Sequence, residues 1–180
     1  MKKVLGGLVL ISALSLVSCD TDKKVEDVKE EVVLGLDTAR FMADLAKVEA
    51  SIDVEMPEKK SLQLAITTFS DYSIHFPQDE KSADYLLKAS DFSHHLGQNS
   101  KAVAYLDKII ANYPNYEKIE SAMYNRAHYL DFELRDTVLA KQYYLEFMDT
   151  YPNSAFVTSA QARLDQNFMT AEELVELWTK

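Results

Sequence analysis

The chain has 180 residues, 47% hydrophobic and 27% charged, with a formal net charge of −10, which suits one globular domain plus a short extension. Only four glycines and four prolines occur, too few for the turns of a sandwich or barrel, so an all-α protein is expected. The acidic balance lacks the basic footprint that draws phosphate backbones or anionic headgroups, which argues against nucleic acid and makes a basic partner a better fit than an acidic one.

The first element in chain order is a targeting segment. Lys2 and Lys3 precede an apolar run over residues 4–17, the layout of a secretory signal peptide and too short for a comfortable membrane span. It ends in Leu16-Val17-Ser18-Cys19, which resembles the bacterial lipobox. That resemblance implies cleavage before Cys19, acyl chains on this residue, and a lipid-anchored protein of the cell envelope. One chain holds weakly, at roughly 0.8 kcal/mol per buried methylene, whereas two or three hold essentially permanently. Cys19 is also the single cysteine, so packing without disulfides must stabilise the exported part. Residues 1–18 are thus read as the signal peptide and residues 19–35 as the lipidated cysteine with a charged tether, whose four valines are too few to offset the cost of ordering it. Asp20 resembles the retention mark of some inner-membrane lipoproteins, while acidic residues there carry another sorting meaning in other bacterial groups, so both membranes stay open.

Residues 36–180 read as a helical-repeat domain of about three units plus a cap. Phe76-Pro77, Tyr113-Pro114 and Tyr151-Pro152 recur at intervals of 37 and 38 residues, the fixed period of a repeat architecture. Ala65, Ala102 and Ala140 each precede their proline by twelve; Phe69, Leu106 and Tyr144 follow those alanines by four, and Tyr72, Ile109 and Phe147 by seven. Spacings of four and seven share one helical face, so each block predicts a helix with a small contact point and a bulky stripe, ended by the proline. A partner helix carries Tyr85, Ala89 and Phe92, then Met123, Ala127 and Leu130, large, small and large in the same register. Upstream, Phe41, Leu45 and Val48 mark a degenerate first helix. Downstream, Phe156, Val157, Ala160, Leu164 and Phe168 share a face, and Thr170-Ala171-Glu172-Glu173 predicts a capping box opening a last short helix, with Leu174, Leu177 and Trp178 covering the end of the stack.

This arrangement resembles the tetratricopeptide repeat over roughly residues 61–168, with Ala89 and Ala127 in place of the usual glycine and a unit longer than the common one. The resemblance implies a short solenoid of antiparallel helix pairs with a terminal capping helix, binding an extended segment or a helix of another protein on a concave face. In its register that face falls on Leu86, Ser90, Ser93 and His94 in one repeat and on Tyr124, His128, Asp131 and Phe132 in the next. The lysine and asparagine pattern of carboxylate-clamping members is absent from these positions. With the lipobox and the Tyr-Pro-Asn endings, the chain is similar to helical-repeat lipoproteins of bacterial envelopes, such as those of outer-membrane barrel assembly and the partners of the Tol-Pal system. An outer-membrane anchor facing the periplasm and an envelope protein or peptide partner are therefore expected.

Little in the sequence suggests catalysis. The glycines are Gly6, Gly7, Gly35 and Gly97, which leaves nowhere for a phosphate cradle, and neither a zinc-protease helix nor a nucleophile elbow occurs, so an enzyme, a cofactor and a small-molecule substrate are not expected. Asp91, His94 and His95 form the best metal candidate, three or four residues apart on one turn, although adjacent histidines point in different directions and no second ligand set accompanies them. Two classes of function remain, a protein-binding envelope scaffold and a small-ligand or metal-capturing lipoprotein serving a transporter; the repeat core and low glycine favour the scaffold.

Overall fold

A computed structural model describes residues 38–53 and 57–179. The signal peptide, Cys19, the tether and the side chain of Trp178 lie outside the described residues. The chain divides into two units, Met1–Met42 and Ala43–Lys180; of the first, residues 38–42 are described and are helical. The described residues form α1 over residues 38–52, then α2 (Lys59–His75), α3 (Lys81–His95), α4 (Asn99–Asn112), α5 (Ile119–His128), a π-helical turn (Tyr129–Glu133), α6 (Thr137–Thr150), α7 (Val157–Asp165) and α8 (Ala171–Trp178). None is long and apolar enough to cross a membrane. Short links make neighbours antiparallel, and α2 packs on α3, α3 on α4, α4 on α5, α5 on α6 and α6 on α7, the nearest-neighbour order of an all-α solenoid.

The repeat is visible in the backbone itself. Phe76, Tyr113 and Tyr151 close α2, α4 and α6 with φ/ψ of −128°/58°, −129°/58° and −127°/63°. Each precedes a proline, whose ring pushes it out of the helical region. Each still donates its N–H to the carbonyl four residues back at 2.8 Å, and each carbonyl accepts at 3.0 Å from the residue three further on, Asp79, Tyr116 or Ser154. One sequence pattern thus builds one turn three times.

Between the turns, the predicted stripes form the core. Ala65, Ala102 and Ala140 are fully buried, as are Phe69, Leu106 and Tyr144 behind them, and Tyr72, Ile109 and Phe147 are buried one turn on. The facing small residues Ala89 and Ala127 are also fully buried, which lets paired helices approach. In α1, Leu45 and Val48 are buried, and Glu49 accepts a 2.9 Å hydrogen bond from the Tyr85 hydroxyl of α3. The half-buried Tyr105 and Tyr113 pack on the cluster around Leu106, and Tyr143 and Tyr151 on that around Tyr144, as expected for packing residues.

Two links depart from the simple pattern. Gly97 turns α3 into α4 at φ +70°. At the matching place after α5, the Leu134 N–H reaches five residues back to Tyr129 at 3.0 Å and the Asp136 N–H bonds Leu130 at 2.8 Å, a widened turn that periodicity did not reveal.

At the C-terminal end the expected capping box is present: the Thr170 hydroxyl accepts from the Glu173 N–H at 3.2 Å, and the Glu173 carboxylate accepts from the Thr170 N–H at 2.6 Å. Of the residues expected to cover the end of the stack, Leu174 on this helix is half-buried and Leu177 is 57% exposed, while the side chain of Trp178 lies outside the described residues. Phe168 also closes the core. Asn167 and Phe168 are both left-handed, φ +49° and +60°, which folds the Phe168 ring back toward Tyr144 at 6.3 Å.

Candidate partner-binding face

Helices in the interior of a solenoid meet neighbours on two sides, and this decides where the predicted binding residues lie. Tyr85, Ala89 and Phe92 form one stripe of α3; Leu86, Ser90 and Ser93, one position on, form an adjacent stripe about 100° round the helix. That second stripe is not a groove. Leu86, Ser90 and Ser93 are fully or almost fully buried, because α4, the partner helix of the same repeat, covers them with help from α5: Leu86 packs with Ala102, Leu106, Ile109 and Ala122, and the Ser90 hydroxyl donates to the Ala102 carbonyl at 3.0 Å. Small and aliphatic side chains let the helices close tightly there.

Thirty-eight residues later the same stripe of α5 reads Tyr124, His128 and Asp131. Asp131 is fully buried, so it too is withdrawn from the predicted surface. Tyr124 and His128 are half-buried. They belong to an aromatic ribbon. Tyr124 stacks on Phe156 at 4.8 Å and lies 5.9 Å from His128; His128 lies 4.6 Å from Phe132 and 6.2 Å from Tyr129; Tyr129 stacks on His94 at 4.3 Å. Of the eight predicted residues, His94, Tyr124, His128 and Phe132 are brought together, and Phe132 is 44% exposed.

Beneath the ribbon lies an ion pair missed at the sequence level. Arg163 of α7 donates to both Asp131 oxygens, Nε to Oδ2 at 2.7 Å and Nη2 to Oδ1 at 2.8 Å, and Nη1 donates to the Met169 carbonyl at 3.0 Å. Its guanidinium centre lies 4.5 Å from the Phe132 ring centroid. The Asp131 hydrogen bond, the largest influence, holds the Arg163 charge even more firmly than usual. A second buried cation, Arg126, bonds Glu146 at 2.9 Å and lies 3.5 Å over the Tyr143 ring. Arg126 and Arg163 stand 37 residues apart, one short of the 38-residue register of these helices, so the repeat interval did not mark them.

Desolvation dominates the titratable groups of this face. It lowers the His128 pKa below its ordinary value and raises that of Tyr129 to about 12. Asp91 is lifted above the usual carboxylate range by the same effect, with the neighbouring His94 only partly offsetting it.

The tetratricopeptide repeat model matches residues 84–116 and 121–154, which span α3 to the turn after α4 and α5 to the turn after α6. Over these two segments the chain is similar to tetratricopeptide repeats. Neither the comparison with curated proteins nor that with solved structures finds a match. The ribbon therefore lies across the first helices of two matched tetratricopeptide repeats and the pair that follows them. Among the described residues, no three His, Cys, Asp or Glu side chains come together as a metal-ligand set; Asp91, His94 and His95 share a turn, but His94 Nδ1 is within 3.0 Å of Asn99 Oδ1. An open cleft of about 510 Å³ lies instead at the proline-turn edge of these repeats, between Glu80, Asp84, Asn112, Tyr113 and Tyr116.

Proposed function

We propose that the chain is a lipid-anchored protein of the cell envelope, held by acyl chains on Cys19 in the outer membrane and facing the periplasm, whose repeats bind a protein partner on the face of His94, Tyr124, His128 and Phe132. One observation carries the binding site: a stripe shut by small side chains in α3 is filled with rings and left half-open in α5. Aromatic side chains with both an apolar body and a polar edge dominate interface energies. Proteins of this repeat class bind protein partners and are generally non-enzymatic, which supports a scaffold role in outer-membrane assembly or Tol-Pal-type envelope maintenance. The anchor rests on Leu16-Val17-Ser18-Cys19 and its resemblance to the lipobox.

Pull-down of the full acylated chain from its native envelope tests the reading. Phe132→Ala with His94→Ala is expected to lose the main co-purifying protein with helical content unchanged. Tyr124 is a poorer probe, because it packs on Phe147 and Phe156 and its removal also loosens the core. Retention of the partner by the Phe132 and His94 variant would remove this face from the reading.

A further inference from the structure

We infer that the segment held on this face is positively charged, its Lys or Arg side chains meeting Asp91, Glu120 and Glu133 around the ribbon of His94, Tyr129, His128 and Phe132. The inference rests on the protein-binding reading above and adds the chemistry of the partner.

The rings of the ribbon are flanked by carboxylates on both helices. Asp91 lies one turn before His94 on α3, and Glu120 one turn before Tyr124 on α5. Glu133 follows Phe132 directly, and its charge acts on both His128 and Tyr129; that of Asp91 acts on Tyr129 too. Asp91 and Glu133 are exposed and Glu120 is half-exposed.

Arg135 is exposed two residues beyond Glu133; the other cations near the ribbon are engaged. Arg163 is held by Asp131, Arg126 by Glu146 and Asp107, and Lys118 by Asp84 and Glu117. Lys88, on the same helix as Asp91, sits over the Phe69 and Tyr85 rings, 5.6 and 5.2 Å from their centroids. What the face offers a partner is therefore negative charge beside π surface. Both favour a cation: the carboxylates by Coulomb attraction, and the 44% exposed Phe132 ring by its quadrupole, which already draws the Arg163 guanidinium to 4.5 Å. Acidic segments meet repulsion from the three carboxylates and from a chain of net charge −10.

Panning a random short-peptide display library on the full chain tests this. Peptides that bind the face are those lost with Phe132→Ala. They are expected to be enriched in Lys and Arg and to weaken about tenfold on Asp91→Asn, Glu120→Gln and Glu133→Gln together. A control triple elsewhere, Glu58→Gln, Asp71→Asn and Asp149→Asn, is expected to leave them unchanged. Glu133→Gln alone gives a smaller loss in the same direction and guards against misfolding of the triple. Face-dependent peptides without net positive charge, or equal losses in the two triples, overturn the basic-partner inference and leave the binding face standing. Recovery of peptides none of which depends on Phe132 or His94 overturns the face itself, and this inference with it.

Discussion

Asp131 has no exposed surface and Arg163 very little, so each neutralises a charge that the other could not leave buried alone. Asp131→Asn is expected to cost about 3 to 5 kcal/mol in urea denaturation, while Asp131→Leu with Arg163→Met recovers much of that loss, because removing both charges removes the desolvation burden as well. His128 gives a pH signature. Its folded pKa lies below the ordinary 6.5, so the unfolded chain binds the proton more readily than the folded one. The stability contribution is complete above about pH 6.5 and is lost as pH falls below it toward the depressed folded value. Thermal melts of the wild type are expected to drop between pH 7 and 5.5, and those of His128→Gln to be flatter over that window. Neither site was fully legible in the sequence. His128 was placed on the right face by register, but Asp131 was placed beside it as a surface residue, since periodicity gives the direction of a side chain and not whether a neighbouring helix covers it.

At the scale of elements, the proline turns and the Ala stripe were readable because local chemistry alone determines them: the proline limits its predecessor, and a small residue is needed wherever two helices meet. Ala140 is fully buried between α5 and α6, whereas Val138, two residues earlier, is 83% exposed. Ala140→Leu is expected to destabilise by about 1 to 3 kcal/mol and Val138→Ser to change little, as read by chemical denaturation. Gly97 is a cleaner case. A Cβ there would meet nothing within 4 Å, so Gly97→Ala exposes the backbone cost of φ +70° alone, about 1 to 2 kcal/mol, and Gly97→Asn less. The π turn after α5 was not readable, because the spacing from Ala127 to Ala140 is the same thirteen residues as that from Ala89 to Ala102. The last helix was readable only in part. Leu174 and Leu177 have helical spacing, but Leu174 is half-buried and Leu177 exposed, since spacing states that a face is apolar and not how far a neighbour covers it.

For the whole molecule, the proposed lipid anchor falls on residues that lie outside the described fold, and its test is chemical. Cys19→Ala is expected to yield no acyl label and a soluble or uncleaved precursor; equal labelling of that variant would sink the anchor. A stack of this kind is stabilised by contacts between consecutive pairs, so its ends open before its middle. The terminal pair contributes Phe156 and Arg163 to the ribbon, which means that the rim of the binding face is also the part of the stack with a neighbour on one side only. Fraying of α7 and recognition are then opposed. Amide exchange in α7 should outpace that in α4 in the isolated chain, and a bound partner should slow it more than it slows any other helix, so that occupancy of the face is recorded as protection of a helix that supplies only its edge.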